Sequence, residues 1–279
     1  MRNNQRRTGH NPESAPISSV PTAHQPAPLA FSSPTEFVEL PSRGEFYPED
    51  HPFYRQETIE IRFMTAKDED ILTSEALLKK NLAIDRLVEN LVVEDLDTST
   101  LLIGDRNAIL IAARSSAYGS EYDVSLRCEA CLATSETNFD LKTVSIQDNC
   151  FDKEFLRENG LSFNRETNTF DLSLPTSGVE VGVQLVDGRK EKKYVDKETN
   201  KNLVTSLLSL FLVKVNGQMD YEGVMSFIDA MPAADSKFLR DLFPKLTPTV
   251  KLIKSHRCET CYSLKDVEVP LSAEFFWPK

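Results

Sequence analysis

The chain has 279 residues and a mass of 31.5 kDa, enough for one large or two modest domains, and 40% of its residues are apolar, which excludes a wholly disordered protein. Its 43 acidic side chains outnumber 32 basic ones, and the formal charge of −11 disfavours non-specific binding to nucleic acid unless cations gather on one face. The longest strongly apolar run, Leu207 to Val213, is far shorter than the roughly 20 residues of a membrane-spanning helix, and no apolar secretory stretch follows the early arginines, so synthesis in the cytosol and no membrane partner are expected.

Nine of the fifteen prolines lie in the first 52 residues. Residues 1–33 mix Pro, Ser, Asn and Gln and offer little apolar surface to offset about 1–2 kcal/mol of backbone entropy per residue, which predicts a disordered tail. An extended piece follows from Phe37 to Leu40, and turn residues Pro41 to Gly44 end it. Ile59, Ile61 and Phe63 alternate with Glu60 and Arg62 as in a half-buried strand. Thr65 and Asp68 have the spacing of a capping box, and the pattern Ile71, Leu72, Glu75, Leu78 predicts a helix running to about Lys80. A second helix carries Leu87, Val88, Leu91 and Val92 on one face. A third is predicted with Asp105 as its cap, Ile109, Leu110, Ala112 and Ala113 within it and Tyr118-Gly119 as its stop.

Tyr122, Val124 and Leu126 lead into Cys128, and Phe139 and Leu141 return after Cys131, which puts the first cysteine pair at a hairpin tip. Residues 142–168 are weakly patterned. Two strands follow, around Phe170-Leu172-Leu174 and Val179-Val181-Val183-Leu185. The run Asp187–Lys201 reads as a charged lead-in to an amphipathic helix bearing Leu203, Val204, Leu207, Leu208 and Phe211. Tyr221 to Met231 is helical up to Pro232, and Asp235 is predicted to restart a helix holding Phe238, Leu239 and Leu242. Val250 and Leu252 extend toward a second pair, Cys258 and Cys261, with Val267, Val269 and Leu271 returning. The expected architecture is α+β, with helical segments, small antiparallel sheets and two zinc-knuckle hairpins. Its divisions are the tail at 1–33, a core with the first hairpin at 34–145, an insertion at 146–202, and a helical segment with the second hairpin at 203–279.

Cys128, Cys131, Cys258 and Cys261 are the main chemical clue. Two C-x2-C pairs can surround one structural zinc with sulfurs about 2.3 Å from the ion. The pairs are separated by 126 residues, and loop-closure cost grows slowly enough with length to tolerate this. Reduced cysteines left from a decayed site, or a redox pair, are the alternatives; Leu132 and Tyr262 stand where many zinc ribbons have Gly. Cys150 reads as an ordinary thiol and His256 as a bystander of the second pair. Only His51 and His256 are left for acid–base work outside the tail. No nucleophile-elbow, zincin, P-loop or dinucleotide fingerprint occurs, so neither an enzyme nor a small-molecule substrate is expected. The terminal Phe275-Phe276-Trp277 cannot all face one side of a strand, so each either packs inside or serves as a partner-binding anchor.

Three runs, Leu40-Pro41-Ser42-Arg43-Gly44 with Tyr47-Pro48, Met64 to Thr73, and Leu102 to Leu110, together with Ala117-Tyr118-Gly119 and the first cysteine pair, resemble the baseplate hub protein family of T-even-like contractile-tailed phages. Met231-Pro232, Asp235-Ser236 and Phe275 to Pro278 resemble the end of longer members. The resemblance implies a non-catalytic subunit or assembly factor of the hub, with other hub and tail proteins as partners, acting in the host cytoplasm during assembly and, in the subunit alternative, carried in the virion baseplate. The competing reading is a zinc-ribbon module on nucleic acid or the transcription machinery, which requires clustered cations near the knuckles, where Arg127, Lys251, Lys254 and Arg257 stand.

Overall fold

The computed structural model describes residues 33–197, 202–268, 271 and 273–276. The expected tail therefore falls outside the described residues apart from residue 33, as do Trp277 and Pro278. Period-2 alternation forms the first ribbon: β1 (Thr35–Glu39) pairs antiparallel with β2 (Thr58–Arg62), and Val38, Ile59 and Ile61 are buried. Between them Gly44, at φ 67°, turns so tightly that a Cβ would lie 2.4 Å from both the Phe53 carbonyl oxygen and the Gln56 nitrogen, so only glycine fits.

Helix α1 (Ala66–Thr73) starts at the predicted capping box. Buried Asp68 accepts from the Thr65 N–H and hydroxyl, both at 2.8 Å, and from both guanidinium nitrogens of Arg62 at 2.7 and 2.8 Å. Burial pushes the Asp68 carboxyl up, but the Arg62 fork and the Thr65 donors outweigh it and hold the group below its usual range. A depressed carboxylate contributes stability above its unfolded pKa and loses it as pH falls through the folded one. Asp68→Asn is therefore expected to cost about 2 kcal/mol near pH 7, with the deficit shrinking below about pH 4, as read by urea titrations across pH. A deficit that is constant with pH would mean that the charge is not what matters.

The helix predicted to reach Lys80 breaks at Ser74, which is extended, and resumes as the short α2 (Glu75–Leu78). The Thr73 hydroxyl donates back to the carbonyls of Glu69 and Asp70, a bond that loosens a helix end. Helix α3 (Ala83–Leu91) buries the predicted face of Leu87, Val88 and Leu91. Helix α4 (Ile103–Tyr118) is the central element, ending at Gly119 with φ 85°. Gly104 is indispensable there, since a Cβ would lie 1.9 Å from the Pro248 carbonyl oxygen.

The first cysteine hairpin is β3 (Glu121–Arg127) with β4 (Thr134–Asp140). The weakly patterned stretch holds β5 (Ser145–Gln147), α5 (Lys153–Glu158) and β6 (Ser162–Asn164). Strands β7 (Thr169–Ser173) and β8 (Glu180–Val183) match the predicted pair. The charged lead-in is a helix, α6 (Gly188–Lys197), started by the Asp187 carboxylate accepting from the Lys190 N–H at 2.8 Å. Helix α7 (Leu203–Phe211) runs directly into β9 (Leu212–Val215), which completes a four-stranded antiparallel sheet in the order β6-β7-β8-β9. Helices α8 (Tyr221–Ala230) and α9 (Ala233–Leu246) flank Pro232. Next, β10 (Thr249–Lys251) pairs with β5 from across the chain, and β11 (Ile253–Arg257) with β12 (Leu264–Glu268) forms the second hairpin. This is an α+β architecture of helices and small antiparallel sheets, with one continuous core.

Two predicted helix caps have other roles. Asp105 and Asp235 lie inside α4 and α9, after Leu102 and Pro232 as the capping positions, and both are fully buried. Asp235 accepts the Thr176 and Ser177 N–H groups at 2.8 and 2.9 Å, fixing the turn between β7 and β8. Asp105 accepts the Ser42 N–H and hydroxyl and the Tyr47 hydroxyl, while the Tyr47 oxygen accepts the Leu102 N–H at 3.0 Å. At the C-terminal end Phe275 and Phe276 are 0% exposed, with Phe275 edge-on to Tyr122 and its carbonyl accepting from buried Arg114. Both rings belong to the interior, so of the three aromatics proposed as an anchor only Trp277, outside the described residues, is left to that role.

Candidate metal centre

The local sequences Arg127-Cys128-Glu129-Ala130-Cys131 and Arg257-Cys258-Glu259-Thr260-Cys261 fold the same way. In each the first cysteine's N–H bonds the carbonyl five residues on, Ala133 or Ser263, and the residue after the second cysteine returns its N–H to the first cysteine's carbonyl at 2.8 or 2.9 Å. That returning residue is Leu132 in one knuckle and Tyr262 in the other, at φ 62° and 58°. Both tips thus take the left-handed turn that glycine usually supplies, at a cost of order 1 kcal/mol each.

The tips meet. The Cys128 and Cys261 sulfurs are 3.6 Å apart, as are those of Cys131 and Cys258, and all four lie within 4.8 Å of one another. A disulfide needs about 2.05 Å, and all four are free thiols. A tetrahedron with metal–sulfur bonds of about 2.3 Å has edges near 3.8 Å, so the donor set fits one ion. The electrostatics agree. Backbone N–H groups of Cys131 and Ala130 lower the Cys128 thiol, and those of Cys261 and Thr260 lower Cys258 to about 6. Cys131 receives the Ala133 N–H, but the neighbouring Cys261 and Cys258 sulfurs outweigh it and push it up to about 12. Four thiolates this close repel, and a cation among them removes the conflict.

The other reactive residues lie apart from this cluster. His256 bonds the Ser135 hydroxyl at 2.8 Å across the two hairpins. His51 stacks on Tyr47 and bonds Thr100, and burial lowers its pKa. Cys150 is buried, which pushes its thiol up to about 12. Three of the cations near the knuckles are engaged within the chain: Lys265 with Glu129, Lys254 with the Asn138 carbonyl and Arg257 over the Tyr262 ring. Sequence reasoning missed the buried trio Ser42, Tyr47 and Asp105, although all three stand within the runs that resemble the hub family. No helix among the described residues is long and apolar enough to cross a membrane.

No curated protein and no solved structure matches the chain. A family model described as T4 bacteriophage base plate protein matches residues 34–277. That match spans the Ser42–Tyr47–Asp105 network, the central helix and both cysteine knuckles, and the chain belongs to the T4 bacteriophage base plate protein family.

Proposed function

We propose that the protein works at the hub of the phage baseplate, as a built-in subunit or as a factor that assembles it, through protein–protein contacts and without catalysis, and that its four cysteines hold one structural zinc. The observation that carries this reading is the family match over residues 34–277. Two features support the non-catalytic part. The polar residues of the hub-like runs, Ser42, Tyr47 and Asp105, are buried and engaged with one another, so they brace the fold and face no cleft. Four protein sulfurs complete a tetrahedral ion, and a closed coordination shell leaves no position for substrate or activated water. An all-sulfur tetrahedral set suits zinc or iron and disfavours magnesium, calcium and manganese.

Quantitative mass spectrometry of purified virions and of isolated baseplates tests the hub reading. A fixed copy number that follows the hub through disassembly is the expected result for a subunit, and absence from virions with arrested tails on deletion is the result for an assembly factor. Normal tails on deletion would end both forms of the proposal.

A further inference from the structure

A groove of about 350 Å³ lies between β1, α4 and the β5–β10 pair. Its floor is one face of α4, where Ala108, Ile111, Ala112 and Ser115 recur at helical spacing. Val38 and Val250 wall it, and Ile146 stands at the rim, 45% exposed. Small side chains in a row let a second backbone come close, while the flanking valines and isoleucines grip inserted knobs. The groove is acidic. Glu36 and Glu39 line it, and no Lys or Arg does so among the described residues. Alternation sets Glu36 on the same side of β1 as Val38, and its Oε1 is buried with no hydrogen-bond partner. A buried carboxylate oxygen without a donor costs stability, and none of the described residues supplies that donor.

We propose that this groove receives an amphipathic helix of another phage tail protein, laid along α4 and carrying a Lys or Arg that reaches Glu36. The proposal rests on the reading that the protein acts through contacts with other tail proteins. A second copy of this chain is a poor occupant, because each copy carries a charge of −11 and a symmetric pairing would set Glu36 and Glu39 against themselves.

The test places a photo-crosslinking amino acid at Ile146, and separately at Phe37 and Leu264 outside the groove, in the full chain expressed during infection. Ile146 is expected to link to a phage tail protein, within a segment of helical apolar periodicity that contains a Lys or Arg. That segment, as a synthetic peptide, should bind the purified protein, and Glu36→Gln should weaken it roughly thirty-fold or more. The same variant should melt no lower than the parent, since none of the described residues pairs with the lost charge. Adducts from Phe37 or Leu264 to tail proteins with none from Ile146, or adducts from Ile146 to this chain or to a segment without that pattern, overturn the groove and leave the tail reading standing. If no position links to a tail protein, both fall. Binding unchanged in Glu36→Gln overturns the role of the charge.

Discussion

Asp105→Ala is expected to lower the unfolding free energy by about 3–5 kcal/mol, since it leaves three buried donors unpaired at about 1–3 kcal/mol each. Its carboxylate holds three donors at once: the Ser42 N–H at 3.0 Å, the Ser42 hydroxyl at 2.5 Å and the Tyr47 hydroxyl at 2.8 Å. All of these groups are buried, so after truncation none can turn to water, and each unpaired donor carries its own desolvation cost. Burial outweighs the pull of those same donors and pushes the Asp105 carboxyl up. Tyr47→Phe removes one donor to Asp105 and also the acceptor of the Leu102 N–H, so it should cost about 1–3 kcal/mol. Because the two residues share a network, the double variant should be less destabilised than the sum of the singles, as read by equilibrium denaturation. Strict additivity would show that the contact contributes nothing as a unit.

The elements with a strong apolar period were legible in the sequence. The ribbon of Val38, Ile59 and Ile61, the face of Leu87, Val88 and Leu91 and the strands around Phe170 and Val181 all follow from burying one face of a regular element. Elements without such a face were not legible. Strands β5 and β6 span only Ser145–Gln147 and Ser162–Asn164, too short for alternation to register, and β9 follows α7 without a turn residue between them. Helix α6 was hidden by its charge, since Arg189, Lys190, Lys192 and Lys193 leave no continuous apolar stripe.

The misread aspartates share one cause. At a helix start Asp satisfies local N–H groups so commonly that capping is the natural inference for Asp105 and Asp235, yet both face N–H groups of distant segments, Ser42 in one case and Thr176 with Ser177 in the other. Which donor an aspartate meets is decided by packing, and one sequence does not encode that locally. The cysteine knuckles were legible as pairs because a two-residue spacer has few uses. Their convergence depends on how the 126 residues between Cys131 and Cys258 return, and this includes the pairing of β5 with β10. The acidic groove on α4 left no trace in the sequence, because its walls come from three separated segments and its floor on α4 is mostly small residues that resemble ordinary helix packing.

Cys128→Ser and Cys258→Ser should each take the protein from about one bound zinc per chain to nearly none. The two residues sit in different hairpins but contribute to the same set of sulfurs, all within 4.8 Å. Serine is a poor zinc ligand at neutral pH, and the remaining three sulfurs would leave the ion open to competing chelators. The structural consequence is confined. Each knuckle is a two-stranded sheet, and isolated two-stranded hairpins are marginal in water, so a bound ion, worth about 10–16 kcal/mol in small zinc-binding peptides, would add to the Ser135–His256 and Lys254–Asn138 contacts in holding the tips together. It would also offset the left-handed turns at Leu132 and Tyr262. Removing the ion with a strong chelator should therefore abolish amide protection in residues 121–140 and 253–268 while α4, buried at Ala108 to Ile111, Ala113 and Arg114, stays protected. The inner end of the first hairpin should persist longest, since Tyr122 and Phe139 are anchored in the core beside Phe275. Elemental analysis of protein purified under reducing conditions without chelator decides the matter. Finding no metal would refute the site, and loss of about half the metal in each single variant would mean that the two pairs bind separate ions, contrary to the sulfur distances.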